Sequence, residues 1–207
     1  MLNPDGQRGV GLVEVMVVVV IMAIVLAMAA PNFSAWIAGA RIRATAESLL
    51  AGLQYAKSEA TSRNTRVRFQ LTTSLGADCR RSARAANWVV DVVDADAAAD
   101  SVEANCNAAP SDTVAPSILQ VRAAAEAGGG VQVEADADQV VFNGLGRQVP
   151  TGGAATADTL NIELTPSGGG QCAAAGGKVT CLRLVVSPAG QVRMCNPSIA
   201  EGDPQAC

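Results

Sequence analysis

The first part of the chain carries an unbroken apolar run from Val15 to Ala30, which ends at Pro31. Nine of these residues are Val, Ile or Leu, and together they favour membrane insertion by roughly 3–5 kcal/mol. Glu14, just before the run, opposes insertion by at most about 3 kcal/mol. As a helix, residues 10–30 would extend about 31 Å, close to the roughly 30 Å hydrocarbon layer of a bilayer. The pattern predicts a transmembrane helix over residues 10–30.

Beyond Pro31 an apolar residue recurs every three or four positions, which is typical of an amphipathic helix. The apolar stripe consists of Ile42, Ala46, Leu49, Leu53, Ala56 and Ala60. The other faces carry Arg41, Thr45, Ser48, Gln54, Ser58 and Ser62. Because proline removes a backbone hydrogen bond and usually kinks a helix, we expect one helix from about Val10 to Arg63, bent or locally melted at Pro31. Residues 31–64 would form its amphipathic half and pack against a sheet.

Residues 65–207 show the patterns of strands and turns and predict a globular, β-rich domain. The candidate strands are 66–71, 88–93, 118–122, 131–134, 139–142, 159–164, 182–186 and 191–195. The first alternates polar and apolar residues, as a half-buried strand does. The turn Ser187-Pro188-Ala189-Gly190 separates the last two strands and has the composition of a hairpin turn. One long helix followed only by strands predicts an α+β fold with an antiparallel sheet.

Three interpretations compete for the N-terminal segment. A secretory signal peptide would be cut after Ala27-Met28-Ala29, an A-x-A sequence. The acidic residue at the head of the apolar run and the helical pattern beyond Pro31 oppose that interpretation. A plain single-span anchor fits the hydrophobicity but gives no reason for Glu14. The third interpretation comes from a resemblance.

The segment Gly9-Val10-Gly11-Leu12-Val13-Glu14 resembles the prepilin peptidase site of type IV pilins and type II secretion pseudopilins. The resemblance implies that residues 1–9 are a leader peptide, cut between Gly9 and Val10 by the prepilin peptidase. It also implies N-methylation of the new Val10 amine. Pro31 then occupies the twenty-second mature position, where the family usually has proline. Valine at the new N-terminus departs from the family's usual phenylalanine or methionine.

The same resemblance gives Glu14 a role. In a helix, Val10 and Glu14 lie one turn apart on the same face. The resemblance implies that Glu14 forms an assembly salt bridge with such an amine, its own or that of a neighbouring subunit. A buried carboxylate without a partner is strongly destabilising, so this pair can enforce the register between subunits.

Four later segments resemble the FimT/FimU minor pilins and the related H-type pseudopilins: residues 56–64, 87–91, 142–147 and 184–195. The resemblance implies a type IV pilin fold, with the long helix packed on the sheet. It implies a single-pass protein of the bacterial inner membrane with a periplasmic domain, which later enters the pilus near its tip. The implied partners are other minor pilins, the major pilin, the inner membrane and the prepilin peptidase.

The cysteines predict disulfides in the C-terminal part of the chain. Six cysteines beyond a membrane span indicate an oxidising compartment, but they allow 15 pairings and the sequence alone does not choose among them. We expect neighbours to pair, because each such bond closes a loop rich in Gly, Ala, Asn or Pro. The expected pairs are Cys172–Cys181, Cys195–Cys207 and Cys79–Cys106. A zinc site is disfavoured, since the chain has no C-x-x-C pair and no histidine.

Composition also argues against an enzyme. Without histidine, Ser-His-Asp and Cys-His mechanisms are excluded. The glycine runs at 128–130 and 168–170 lack the Lys-Ser/Thr of a phosphate-binding loop. The acidic residues at 94–100 lie in an Ala-rich segment and indicate a solvated loop, with calcium binding only weakly signalled. We therefore predict no catalytic residue, no cofactor and no metal.

The sequence leaves three functions open. The leading one is a minor pilin that helps to initiate assembly of a type IV pilus and is incorporated into it. A second is a type II secretion pseudopilin of the H type. A third is a DNA-binding tip pilin for natural transformation, since some FimT-type relatives bind DNA through Gly-Arg-x-Arg in the closing hairpin.

The DNA-binding alternative depends on few residues here. The chain has Gly190-Gln191-Val192-Arg193, which lacks the first arginine of that motif, and its net charge is −4. Acidic charge opposes the phosphate attraction on which such binding depends. Arg193 and Arg147 would be the DNA contacts. A further basic cluster, expected to serve as a solvated face or a subunit contact, comprises Arg63, Arg66, Arg68, Arg80, Arg81 and Arg84.

Overall fold

The computed structural model describes residues 11–93, 102–127, 129–150, 155–168 and 170–207, leaving aside the side chains of residues 28–32 and 127. Helix α1 runs from Leu12 to Arg63. Its backbone stays α-helical through Pro31, so the chain is not melted there, and the bend at Pro31 stays a prediction. Asn64 ends the helix in the left-handed conformation (φ 50°) and donates its backbone N–H to the carbonyl oxygen of Ala60. Asparagine tolerates this conformation better than most residues do.

The strands form two antiparallel sheets. The first has the order β3-β2-β1-β5-β6 and the second β4-β7-β8-β9. The strands are β1 (Val67–Thr72), β2 (Asn87–Val92), β3 (Ile118–Arg122), β4 (Val131–Ala135), β5 (Gln139–Phe142), β6 (Gln148–Val149), β7 (Leu160–Pro166), β8 (Leu182–Val186) and β9 (Val192–Cys195). The predicted α+β class with a long helix on antiparallel strands is confirmed, although the strands divide into two sheets. The short β6 was not predicted, because two residues are too few to show an alternating pattern.

The second half of α1 packs its apolar stripe against both sheets, as the sequence predicts. All six stripe residues, Ile42, Ala46, Leu49, Leu53, Ala56 and Ala60, are fully buried. They join one core with residues of both sheets, among them Phe69, Phe142, Ile162 and Leu184.

Two further positions of α1 also face this core. Thr45 was expected on another face of the helix, but only 2% of its surface is exposed. Gly52 was not singled out, yet a Cβ atom there would lie 2.8 Å from Cε2 of Phe69 and 3.0 Å from the Trp88 ring. Glycine therefore lets the helix approach the first sheet closely. The apolar face is wider than the stripe because the helix contacts two sheets.

Strand β1 is buried on both faces, which differs from the half-buried strand that its alternation predicts. Val67, Phe69 and Leu71 belong to the main core, while Arg68, Gln70 and Thr72 alternate with them and are also buried. A second apolar cluster contains Cys79, Val89, Val102, Cys106 and Ile118. The segments around this cluster cover the outer face of the sheet, so polar residues of β1 lie inside the domain.

Three disulfides hold the loops of the domain. Cys79 is bonded to Cys106, Cys172 to Cys181 and Cys195 to Cys207, with Cα–Cα distances of 6.1, 5.4 and 5.1 Å. These are the three neighbouring pairs, and no cysteine is free. The last bond ties the C-terminal residue back to the end of β9.

Candidate assembly interface

The N-terminal part of α1 extends away from the domain as an apolar rod, here defined as residues 12–26. Every large apolar side chain in the rod is at least half exposed, from 51% at Val15 to 76% at Leu12. Glu14 is the only charged residue between Gly11 and Ala40. The rod is therefore an unpaired apolar surface with one carboxylate near its end.

Within the described part of the chain, no helix combines the length and the apolar character needed to cross a membrane.

Glu14 lies in the first turn of α1, where its backbone N–H donates to the carbonyl oxygen of Gly11 at 3.0 Å. The positive end of the helix dipole favours a carboxylate at this position. Gly9 and Val10 lie outside the described residues. The cleavage site, the methylated amine and its pairing with Glu14 thus stay predictions.

Three segments that carry the resemblance meet at the opposite end of α1, and we call their contact the distal corner. It consists of the helix end at residues 57–64, the turn 143–147 and the hairpin turn 187–190. Within the turn, the Asn143 side-chain oxygen accepts hydrogen bonds from the backbone N–H groups of Leu145 and Arg147, both at 3.0 Å. The local sequence Asn-Gly-Leu-Gly suits such a turn, because asparagine bonds nearby backbone and glycine accepts unusual dihedral angles.

Glycines allow the close contacts of the distal corner. A Cβ atom at Gly144 would lie 3.0 Å from the Cα of Asn64, and one at Gly146 3.0 Å from the Lys57 side chain. Gly190 has φ +79°, and a Cβ atom there would overlap the carbonyl oxygen of Gly146. The backbone N–H of Gln148 also donates to the carbonyl oxygen of Pro188 at 3.2 Å. Sequence reasoning identified the segments by resemblance but did not predict that they meet.

Arg193 and Arg147, the proposed DNA contacts, have different surroundings. The Arg193 guanidinium donates to the carbonyl oxygen of Ala206 at 3.1 Å and to that of Cys207 at 3.4 Å. It thereby holds the C-terminal segment next to β9, alongside the Cys195–Cys207 bond. Arg147 is exposed in the distal corner.

One member of the expected basic cluster is not solvated. Arg68 was placed there from sequence, but it is buried and pairs with Asp91 of β2 through two hydrogen bonds of 2.7 and 3.1 Å. The register of the sheet explains this pair, because Arg68 and Asp91 are directly opposite on β1 and β2.

Other arginines of this cluster also lie near carboxylates. Arg63 donates to Glu59 at 2.6 Å and to Asp112 at 3.1 Å, and these hydrogen bonds raise its pKa above the ordinary value. Arg81 lies 3.8 Å from Asp138 and 3.9 Å from Glu103, and Arg84 lies 3.7 Å from Glu134. Within the described residues, no group of three or more Cys, Asp or Glu side chains could hold a metal ion.

Two family comparisons identify the class of protein. Residues 5–30 match the prokaryotic N-terminal methylation motif, and residues 45–190 match the family described as type II transport protein GspH. Because the second match covers more than half of the chain, the chain belongs to the GspH family. The pilin-like family predicted from sequence is confirmed.

Solved structures of one protein are similar to this chain. They are two crystal structures of the type IV minor pilin FimU from Pseudomonas aeruginosa. The first has 19% identity, covers 80% of this chain and 94% of FimU, and gives a TM-score of 0.48. The second has 20% identity, covers 80% of this chain and 98% of FimU, and gives a TM-score of 0.45. Among curated proteins, none matches the chain.

Proposed function

We propose that this protein is a minor pilin, anchored in the bacterial inner membrane, that takes part in initiating a type IV pilus and is incorporated into it. The observation that carries the proposal is the apolar rod: a fully helical, exposed apolar surface with a single carboxylate in its first turn. Lipid covers such a surface before assembly, and neighbouring helices of the same kind cover it afterwards. The match of residues 5–30 to the N-terminal methylation motif supports this use.

Glu14 fixes the position of the subunit in the assembly. Removal of residues 1–9 exposes the Val10 amine, which is methylated and stays cationic. When helices replace lipid around the rod, Glu14 loses access to water and needs a cation. The amine of a neighbouring subunit supplies this cation at one axial offset only, so the pair selects the register.

The globular domain supplies the contacts that distinguish this subunit from others. Its partners are other minor pilins and the major pilin, and we assign it no enzymatic activity. The distal corner holds the exposed Leu145, whose side chain is 80% exposed at the tip of its turn. This position suits contact with another subunit more than a role in the domain's own core.

The test is complementation of a deletion strain with Glu14→Ala, compared with Glu47→Ala. Glu47 is a matched control because it is another exposed carboxylate on α1, placed beyond the rod. We expect Glu14→Ala to enter the membrane fraction at the normal level but to be absent from sheared filaments. We expect Glu47→Ala to be present in both fractions. Normal incorporation of Glu14→Ala into filaments would refute the role of the carboxylate.

A second candidate is an H-type pseudopilin of type II secretion, and the description of the matched family favours it. The rod and Glu14 would act in the same way in that system. The deletion strain separates the two: loss of surface pili with normal protein secretion supports the pilus, and the reverse supports secretion. The genes beside this one give the same distinction.

A further inference from the structure

A hollow of about 600 Å³ lies beside the distal corner, and we call it the distal hollow. Arg66, Thr113 and Gly144 line it, so the link between α1 and β1, the segment before β3 and the turn 143–147 meet there. Four other lining residues carry a hydroxyl or amide group, namely Asn64, Thr65, Ser117 and Asn143. Such side chains and an arginine can donate hydrogen bonds to an anionic group.

The distal hollow has a positive charge that is free to bind a ligand. Arg66 is the one cation among the described residues of its lining; it is exposed, and no described residue forms an ion pair with it. The carboxylate in the lining, Asp112, already accepts a hydrogen bond from Arg63 at 3.1 Å. Arg147, in the neighbouring turn, is also exposed and has no ion-pair partner within the described part of the chain.

Two exposed apolar side chains flank the distal hollow. Leu145 is 80% exposed and Val114 is 66% exposed, and beyond α1 they are the only large apolar side chains among the described residues that are so exposed. Each directly follows a lining residue, Gly144 or Thr113. Apolar side chains beside a polar and charged rim are the usual composition of a protein–protein interface.

The distal hollow lies at the end of the protein that is remote from the proposed membrane span. Helix α1 ends at Arg63, about 50 Å along the helix from Ala30. Each subunit would enter a filament from the membrane, so the subunits assembled earlier lie beyond this end. The distal hollow is therefore placed to meet one of them.

The charges here favour a protein partner over a nucleic acid or a second copy. Glu59 and Asp112 lie on either side of Arg63, at 2.6 and 3.1 Å, and their negative charge opposes the phosphates of a duplex. Two copies that met through this same surface would bring Arg66 close to Arg66, and such contacts between like charges are disfavoured.

We propose that the distal hollow receives an Asp or Glu side chain from a different pilin subunit, with Arg66 as its ion-pair partner. Arg147 is a second cationic contact, and Leu145 and Val114 pack on apolar side chains of the same subunit. The inference rests on the proposed function, because it assigns the minor pilin its contact with an earlier subunit. This contact selects an acidic neighbour over a second copy of the chain.

The test uses the full chain in its native cells, with the photoreactive residue benzoylphenylalanine in place of Leu145. The cells are irradiated, filaments are sheared from them, and mass spectrometry identifies the cross-linked peptide. We expect an adduct with a different pilin subunit, at a peptide that contains Asp or Glu.

Charge variants made together with the photoreactive residue test the role of the arginines. Arg66→Glu with Arg147→Glu is expected to lower the adduct yield roughly ten-fold or more, since attraction becomes repulsion. The matched control is Arg84→Glu with Arg122→Glu, which changes two exposed arginines outside the distal hollow and should keep the yield. Lysine in place of the partner's acidic residue should restore the adduct with the first double variant, which separates a lost contact from misfolding.

Several results would overturn the inference. They are an unchanged adduct yield in the first double variant, an equal loss in the control, an adduct between two copies of this chain, or no adduct although the protein is present in sheared filaments. Binding of the full chain to duplex DNA that the first double variant abolishes would assign the surface to a nucleic acid and also overturn it. Absence of the wild type from sheared filaments would instead contradict the proposed function, and this inference with it.

Discussion

The buried pair Arg68–Asp91 gives the sharpest test of the domain structure. Asp91 has only 1% of its surface exposed, and Arg68 has 8%. Replacing Arg68 by Met removes the cation that donates two hydrogen bonds to the buried Asp91 carboxylate. Loss of one member of a buried pair costs roughly 3–5 kcal/mol. For a domain of this size, each kcal/mol lowers the melting temperature by about 2–4 °C, so Arg68→Met should melt roughly 6–20 °C lower.

A double variant shows whether the cost comes from the charge that Arg68 no longer balances. Arg68→Met with Asp91→Leu removes both charges and keeps side-chain volume, so we expect stability within about 1 kcal/mol of the wild type. The matched surface control is Arg84→Met, whose partner Glu134 lies 3.7 Å away with both side chains mostly exposed. Such pairs contribute about 0–1 kcal/mol. Thermal and urea denaturation of a fragment that begins at Asn32, both followed by circular dichroism, measure the melting temperature and the free energy of unfolding of all three variants.

A cost for Arg68→Met as small as that of the Arg84 control would refute the burial of the pair. A double variant as unstable as the single one would show that the lost packing, and not the loss of the ion pair, is responsible.

Three further predictions concern the core, the distal corner and DNA. Leu53→Asp places a carboxylate at a fully buried position between α1 and the sheets, where even truncation to alanine costs about 2–5 kcal/mol. Circular dichroism should therefore show the fragment unfolded at room temperature, and an unchanged melting temperature would contradict the packing. Gly190 has φ +79°, and Gly190→Ala forces a Cβ atom into the carbonyl oxygen of Gly146. Urea denaturation should therefore show a free energy of unfolding lower by about 1–3 kcal/mol; wild-type stability would contradict the contact between the two turns. The Arg193 guanidinium already donates hydrogen bonds to the C-terminal segment, so we expect the domain not to bind duplex DNA at low salt in a gel-shift assay. Salt-dependent binding would favour the alternative of a DNA-binding tip pilin.

The helix and most strands were predictable because each buries its apolar residues at a regular period. The six stripe residues of α1 follow the helical repeat, and the eight candidate strands coincide with observed strands to within one or two residues at most ends. These are local properties of the chain. They can be read from the sequence without information about which distant segment covers each face of the sheet.

The features that sequence did not predict depend on distant contacts. Arg68 and Thr72 have the spacing of exposed residues, but the segment closed by Cys79–Cys106 covers their side of the sheet. Thr45 is buried because α1 contacts two sheets. The contacts of the distal corner join residues that are 40 to 89 positions apart. Such contacts leave no periodic signal in one sequence.

The central claim is that the chain is trimmed to expose an amine beside Glu14 and then assembles through its apolar rod. N-terminal sequencing and mass spectrometry of the protein isolated from its native cells test this claim most directly. We expect a chain that begins at Val10 and carries an N-methyl group. A chain that begins at Ala30, after cleavage by a signal peptidase, or that still begins at Met1 would contradict it.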